Sequence, residues 1–480
     1  MSKSQVRLQR MESFKRIINL GLSAGCLGLL VAIFAYNWLF HFRHSLVETL
    51  RHFYFNGHLL EFAIYGVILL FLTNMYGGMR LGYLKNAEII FSQIFSTLIA
   101  DVIIYGQLSM MAFQLFVPKV FIMMFTEQVV VIIIYTNLAN RLYRSMFPPR
   151  KLMLIHGERP IDDIRSKFIS RRDKYRIDQC IDMSEGMDTV CSMITHSFHA
   201  GEINAVVLWD ISAKESRDLL KFCYGKSIRV YMMPKITDVI LMGAEVLHVF
   251  DSPILLTREY KLTMEQRFMK RAIDLAGAIG LILVTWPFML LTALAVKLYD
   301  GGPVLYKQVR CTKDQKEFYI LKFRSMRVDA EKDGVARLAT KNDSRITPVG
   351  KLIRKCRLDE LPQLFNILKG EMSFIGPRPE RPEIIAQYLE VMPEFAYRTK
   401  VKAGLAGFAQ VYGKYNTSPY DKLKLDLTYI EQYSVWLDLK LMLLTLKVLF
   451  WPDSTEGVDN EQITALKAEQ QNTDIRSQER

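Results

Sequence analysis

Residues 275–296 read LAGAIGLILVTWPFMLLTALAV, and the topology of the whole chain turns on them. As a straight helix the run is about 33 Å long, enough to cross a hydrocarbon core of about 30 Å. Pro287 stands in its middle, where it removes a helical hydrogen bond and clashes with the preceding turn, at a cost of about 3 kcal/mol. Both flanks are basic, with Lys270 and Arg271 before and Lys297 and Lys307 after. A crossing would put everything downstream outside the cell, apart from nucleotide pools. A helix that enters, breaks at Pro287 and returns keeps it on the cytoplasmic side, provided side chains satisfy the backbone groups freed at the break. By pattern alone a re-entrant helix and a kinked spanning helix stand equally open.

Upstream, apolar runs at 17–40, 59–76, 89–116 and 120–138 are each long enough to span. Lys3, Arg7, Arg10, Lys15 and Arg16 precede the first, Arg80 and Lys85 separate the second from the third, and Arg141, Arg144, Arg150 and Lys151 follow the fourth. The opposite loops hold only Arg43, Arg51 and Lys119, so both ends of a four-span bundle (1–150) are expected in the cytoplasm. The first run is too long for a signal-peptide core and lacks a cleavage site. Asp101 lies within a span, where an acid costs roughly 2.5–3.5 kcal/mol. It is expected to face other helices and glue the bundle, and a bundle of this kind can also pair with a second copy.

The chain has 480 residues, half of them hydrophobic, yet a net charge of +13. That pairing suits a membrane protein meeting anionic headgroups or phosphorylated substrates. Zinc-finger spacing, RNA-binding signatures and helix-turn-helix patterns are missing, so nucleic acid is not an expected partner. The six cysteines are scattered without a C-x-x-C pair, as in a reduced compartment.

After Pro148-Pro149 short buried strands at 152–155, 205–208 and 228–232 alternate with helical stretches such as 213–222. This predicts a small doubly wound α/β module over 151–257. Its first strand runs into His156-Gly-Glu-Arg-Pro160, not G-x-G-x-x-G, so a structural or regulatory role is expected rather than nucleotide binding. The tail 453–480 is polar and expected to be disordered.

Asp359 and Glu360 precede a short helix predicted over 362–369, with proline in its first turn and Gly370 as its stop. A helix N-terminus favours negative charge, and Arg354, Lys355 and Arg357 are near, so both acids should stay ionised. Such a carboxylate can bind Mg²⁺ or attack a phosphorus atom held by the same cations, although adjacent acids before a helix are most often caps. No histidine follows position 257, which excludes histidine-based acid–base or zinc chemistry there. Gly376-Pro-Arg-Pro379 predicts a rigid turn that fixes Arg378 as a phosphate clamp, with Arg345 and Arg398 as further candidates. At 439–450 Lys440 and Lys447 sit one heptad apart on an apolar helix, a pattern for lying along a membrane interface.

The segments FYILKFRSM (318–326), DSRITPVGKLIRKCRLDELPQLFNILKGEMSFIGPRPE (343–380) and VKAGLAGFAQVYGKY (401–415) resemble the bacterial sugar transferase family, the monotopic phosphoglycosyl transferases. The resemblance covers about 270–450, and a four-span bundle followed by a Rossmann-like module resembles the family's larger members. It implies a mostly helical catalytic domain over 258–452, with 275–296 as a re-entrant helix broken at Pro287. It implies transfer of a sugar 1-phosphate from a UDP-sugar to polyprenyl (undecaprenyl) phosphate, with UMP released, at the cytoplasmic face of a bacterial inner membrane. Asp359 would be the nucleophile of an aspartyl-phosphosugar intermediate, Glu360 would assist with Mg²⁺ or protons, and Arg354 would hold phosphate. The product would start exopolysaccharide, capsule or O-antigen synthesis. Two departures stand out: Trp286 replaces the family's usual serine before the proline, leaving Thr285 to supply a cap, and Ala403-Gly-Leu-Ala-Gly407 lacks the usual proline and threonine. A competing reading, a non-catalytic assembly protein binding nucleotide sugars through the α/β module, is weakened by the missing glycine fingerprint. The sugar itself has no readable signature.

Overall fold

The apolar runs become long helices. The computed structural model describes residues 3–42, 55–111, 113–115, 118–157, 161–249, 251–257, 262–328, 343, 345–413 and 417–449; the tail 453–480 lies outside them. Helix α1 (Lys3–Asn37) runs into a π turn at Trp38–Phe42 and is followed by α2 (Phe55–Tyr76), α3 (Asn86–Met111) and α4 (Pro118–Met146). Asp101 on α3 is buried and accepts from the Tyr65 hydroxyl at 3.0 Å, while Gln128 Nε2 donates to that hydroxyl at 2.8 Å. These bonds join α2, α3 and α4 where lipid could satisfy no polar group.

The α/β module follows within the same compact unit, Met1–Met233. Strands β1 (Arg150–His156), β2 (Tyr175–Asp182), β3 (Ala205–Trp209) and β4 (Arg229–Met232) alternate with helices α5 (Ile161–Ile169), α6 (Met187–Ala200) and α7 (Ala213–Gly225). The sheet is wholly parallel in the order β2-β1-β3-β4, the doubly wound pattern. β2 escaped the sequence reading because it is a half-exposed edge strand whose alternate, exposed positions are Arg176, Asp178 and Cys180. Gly157 closes β1 against β3: its N–H donates to Trp209 O at 3.1 Å, and an added Cβ would sit 2.1 Å from Asp210 O. That glycine serves strand packing.

The second unit is Pro234–Arg480, starting earlier than the predicted boundary at 258. The reason is α8 (Ile236–Met242), whose Val239 is buried in the second unit's core. A hairpin of β5 (Glu245–Val249) and β6 (Ser252–Leu256) leads to α9 (Met264–Asp300), which starts at a Thr263–Gln266 capping box. There follow the antiparallel hairpin β7 (Leu305–Cys311) and β8 (Glu317–Phe323), α10 (Pro348–Lys355), α11 (Gln363–Lys369), β9 (Ser373–Ile375) and α12 (Pro382–Val391). Strand β10 (Gly404–Ala406) pairs in parallel with β9, and α13 (Phe408–Tyr412), α14 (Pro419–Glu431) and α15 (Val435–Leu449) complete the unit. Its core joins these elements through Phe318, Ile320, Ile367, Leu423, Ile430 and Leu441. Full burial of each such side chain stabilises by about 1.5–3 kcal/mol. One face of α15 joins this core through Leu441, and Leu444 is also buried, while Trp436, Leu446 and Leu449 are exposed.

The chain is mostly helical, with five helices among the described residues long and apolar enough to cross a membrane by length and composition, and small parallel sheets. The fifth is α9, and it corrects one expectation: helical structure continues through Pro287 without interruption. Proline removes one N–H donor, but opening the whole turn in an apolar segment would strand more backbone groups, so a bend costs less than a break. The Thr285 hydroxyl donates to Leu281 O at 2.6 Å, not to the carbonyl of residue 283 that Pro287 leaves free. Thr292 bonds back to Phe288 O at 2.7 Å, and such back-bonding on either side of a proline favours bending.

Candidate active site

The acid pair sits on a single 3₁₀ turn, Leu358–Glu360, between α10 and α11. Thr347 caps α10 through Gly350 N at 2.9 Å, and Arg357 then adopts φ +55° to redirect the chain. A left-handed non-glycine residue costs roughly 1–2 kcal/mol, so surrounding contacts must hold it. α11 ends at Gly370 in the left-handed conformation, as its sequence anticipates. Asn366, fully buried, bolts α11 to β8: its Oδ1 accepts from Leu321 N at 3.0 Å, and its Nδ2 donates to Tyr319 O at 2.8 Å and Glu371 Oε2 at 2.6 Å.

This bolt brings Lys322 to Glu360, with Nζ 3.0 Å from Oε1. Arg357 and Arg378 each approach the same carboxylate to 3.8 Å. Burial pushes the Glu360 carboxyl up, but Lys322, Arg378 and Arg357 outweigh it and hold the group down at about 2. Asp359 differs. Burial first, then the charge of Glu360, raises it to about 6 against the pull of Lys322, Arg354 and Arg357. Both acids can stay ionised at neutral pH, but the division between them is not legible in the sequence, because the cations beside Asp359 do not cancel desolvation. Asp359 Oδ1 is buried with no hydrogen-bond partner among the described residues. A carboxylate oxygen kept unbonded amid cations is chemically poised, either toward an electrophile or toward a metal.

Arg378 stands on a turn whose backbone is pinned along its length. Gly376 N donates to Ala406 O at 2.9 Å, Gly404 N to Pro377 O at 2.9 Å, and Arg310 Nη1 to Pro379 O at 3.1 Å. A Cβ on Gly376 would lie 2.3 Å from Lys402 O, so only glycine permits this approach. Ala403 and Ala406 contribute backbone here: Ala403 O accepts from Ser373 N at 2.9 Å. The Arg378 side chain is 48% exposed, with Glu360 3.8 Å away.

The other arginines fall elsewhere. Arg398 is buried and committed to Asp426, with Nε–Oδ2 3.0 Å and Nη2–Oδ2 2.8 Å, and it also donates to Arg378 O at 3.2 Å. It thereby braces the turn that carries Arg378; an arginine in sequence looks the same buried or solvated. Arg345 is held by Asp343, with Nη2–Oδ2 2.6 Å, and contributes to a local loop. Arg354 lies where its charge lowers both Asp343 and Asp359. Sequence reasoning missed Lys322 and Asn366, although Lys322 shares the inward face of β8 with Phe318 and Ile320, an unusual place for lysine.

Among the described residues no three His, Cys, Asp or Glu side chains cluster to hold a metal. Asp359 Oδ1 and Glu360 nevertheless fit Mg²⁺, which commonly takes one or two carboxylates and completes its shell with substrate phosphates and water.

Comparison with known proteins places this geometry. The bacterial sugar transferase family model matches residues 265–452. A UDP-N-acetylgalactosamine-undecaprenyl-phosphate N-acetylgalactosaminephosphotransferase of Aeromonas hydrophila is 37% identical over 243 residues, 50% of this chain and 56% of that protein. A UDP-glucose:undecaprenyl-phosphate glucose-1-phosphate transferase of Xanthomonas campestris pv. campestris is 36% identical over 225 residues, 45% and 46% of the two. The matched part thus spans about half the length of these relatives. A transferase of the same name from Caulobacter vibrioides is 38% identical over 190 residues, 38% of this chain but 71% of that protein. With the acid turn, its cations and the arginine turn all inside the matched region, the chain belongs to the bacterial sugar transferase family.

Proposed function

We propose that this chain transfers a sugar 1-phosphate from a UDP-sugar to polyprenyl (undecaprenyl) phosphate, with 258–452 as its catalytic domain. The observation that carries the reading is the unpartnered Asp359 Oδ1 beside a Glu360 whose charge is absorbed by Lys322, Arg357 and Arg378. Asp359 attacks the β-phosphorus; the P–O bond to the UMP moiety breaks, and UMP leaves with the bridging oxygen. The lipid phosphate oxygen then attacks the same phosphorus and expels the aspartate. Both nucleophiles are already anionic, so neither step needs a histidine base. Arg378 and Arg354 neutralise the diphosphate, and their field strengthens as substrate expels water. Mg²⁺, held by Asp359 and Glu360 with substrate phosphates, would supply further charge neutralisation when bound.

The same reading puts the acid turn on the cytoplasmic face of a bacterial inner membrane, with α9 entering and returning. One body grips both ends of α9: Asp274 accepts from Phe374 N near one end, and Asp300 pairs with Arg324 at the other. Between them Leu283, Trp286, Phe288 and Leu290 are exposed. A helix crossing the bilayer could not have both ends held by one polar domain without dragging that domain through lipid. The relatives' names describe transfer to undecaprenyl phosphate and differ in the sugar, glucose or N-acetylgalactosamine, and a first membrane step of exopolysaccharide, capsule or O-antigen synthesis follows from that chemistry.

The test is UMP release and radiolabel transfer into extractable lipid by membranes containing the protein, across a set of UDP-sugars. Asp359→Asn should abolish both. Undiminished turnover in that variant would remove Asp359 as nucleophile.

A further inference from the structure

Resting on the transfer reading, we propose that one turn of α9, Lys270, Arg271 and Asp274, keeps the two halves of the site in register, so that these are positioning residues for the reaction.

The three side chains grip a short segment at both ends. Arg271 donates from Nη1 to Ile367 O and from Nη2 to Leu368 O, both at 2.7 Å, capping the last turn of the helix that begins at the acid turn. Asp274 Oδ1 accepts from Ser373 Oγ and from Phe374 N, both at 2.9 Å. Lys270 Nζ donates to Ile375 O at 3.0 Å and to Asp438 Oδ2 at 2.7 Å, with the Tyr429 hydroxyl at 3.2 Å. Asp359 and Glu360 precede this gripped segment and Arg378 follows it by three residues, within 3.8 Å of Glu360. A shift of α9 therefore moves the acids and the arginine relative to each other.

Burial argues for orientation over stability. Asp274 is 4% exposed, Asp438 3% and Ser373 0%. Desolvating such charges cancels most of what their pairing returns, and replacing both partners of a pair by apolar groups of similar volume is often neutral for folding. Ala278, with Phe374 against Gly277, already provides apolar packing of α9 on β9. What the polar groups add is direction, since each bond ends on a particular backbone or hydroxyl atom. Misplacement of a binding group by about 1 Å is enough to lower a rate by about 100-fold.

The experiment measures kcat and KM for UMP release by full-length protein in native membranes supplied with UDP-sugar and polyprenyl phosphate. Asp274→Leu should lower kcat about 30-fold with KM changed less than about three-fold, because ground-state binding is kept while alignment is lost. Asp274→Asn retains an acceptor at Oδ1 and should keep about a third or more of the wild-type kcat. In an Arg378→Lys background Asp274→Leu should cost less than about three-fold more, since both changes act through one group. Equal losses in both backgrounds, or an Asp274→Leu protein as fast as wild type, would overturn the proposal. If Asp274→Leu fails to accumulate, Ser373→Ala removes one donor without adding bulk. It should lower kcat about three- to ten-fold with the same non-additivity, and an unchanged kcat there would overturn the proposal equally. Wild-type membranes that release no UMP from any UDP-sugar would sink the transfer reading and this proposal with it. Active wild type with an undisturbed Asp274→Leu sinks this proposal alone.

Discussion

Lys322 Nζ lies 3.0 Å from Glu360 Oε1, joining a strand and a turn 38 residues apart in sequence. The Glu360 side chain is only 17% exposed, so the pair works where water screens poorly. Removing one partner of a fully buried pair costs about 3–5 kcal/mol, and the partial exposure of both side chains reduces this to about 1–2 kcal/mol here. If that loss falls on the transition state, Lys322→Met should lower kcat/KM by about 5- to 30-fold while leaving the protein folded. A variant with wild-type kcat/KM would mean that Glu360 is organised without the lysine.

With Asp359 as the proposed nucleophile, its carboxyl should set the acid side of the pH profile. Its carboxyl is raised to about 6, by burial first and then by Glu360, and attack requires the ionised form. Activity should fall as pH drops through about 6, well above the ordinary aspartate range. A kcat/KM profile flat down to pH 5 would contradict this.

The same shift has a consequence for stability. A carboxyl whose folded pKa is raised binds its proton more tightly in the folded state. That contribution is fully present below the unfolded value and is lost as pH rises through the folded value near 6. At pH 7.5 the ionised Asp359 is thus a net cost, and Asp359→Asn should be inactive yet more stable by about 1–2 kcal/mol. The advantage should vanish below about pH 4, where the wild-type acid is protonated in both states. Thermal denaturation at the two pH values checks this, and an asparagine variant less stable at pH 7.5 would refute it.

Arg398 separates support from substrate contact. Its guanidinium is buried against Asp426 and tied to Arg378 O. Arg398→Met alone should destabilise by about 3–5 kcal/mol, because it leaves Asp426 buried without its partner. Arg398→Met with Asp426→Leu should recover most of that loss. A soluble, stable Arg398→Met protein with a raised KM for UDP-sugar would instead return Arg398 to the phosphate-binding set.

What could be read from the sequence was whatever is local. The apolar runs, the proline entry and glycine exit of the helix after Asp359, and the stiff Gly-Pro-Arg-Pro turn each depend on a few neighbouring residues, and the structure has all of them. Lys322 and Asn366 gain their meaning from the packing of β8 against α11, a pairing that nothing within either segment announces. The setting of Arg398 could not be read, because exposure decides whether an arginine binds phosphate or braces a turn, and exposure is a property of the fold. The upward shift of Asp359 could not be read, because its cations are visible in sequence while its burial is not. The break at Pro287 was overdrawn, since a proline states what it removes and not how the remaining ladder adjusts.

Both ends of α9 are held by the same unit, Asp274 by β9 and Asp300 by Arg324. If α9 returns to its side of entry, β7 lies in the cytoplasm together with the module that precedes the helix. A cysteine at Lys307, in protein whose exposed Cys180 and Cys356 are replaced by serine, should then resist an impermeant thiol reagent in intact cells and react once the cells are opened. A spanning α9 would reverse this: the same cysteine would label from outside, and UDP-sugar supplied in the cytoplasm could not reach Asp359. Labelling in intact cells would therefore remove the membrane geometry and the route of the nucleotide substrate together. Protection would leave Pro287, inside an apolar helix of 37 residues, as the point at which the chain could turn back without crossing the bilayer.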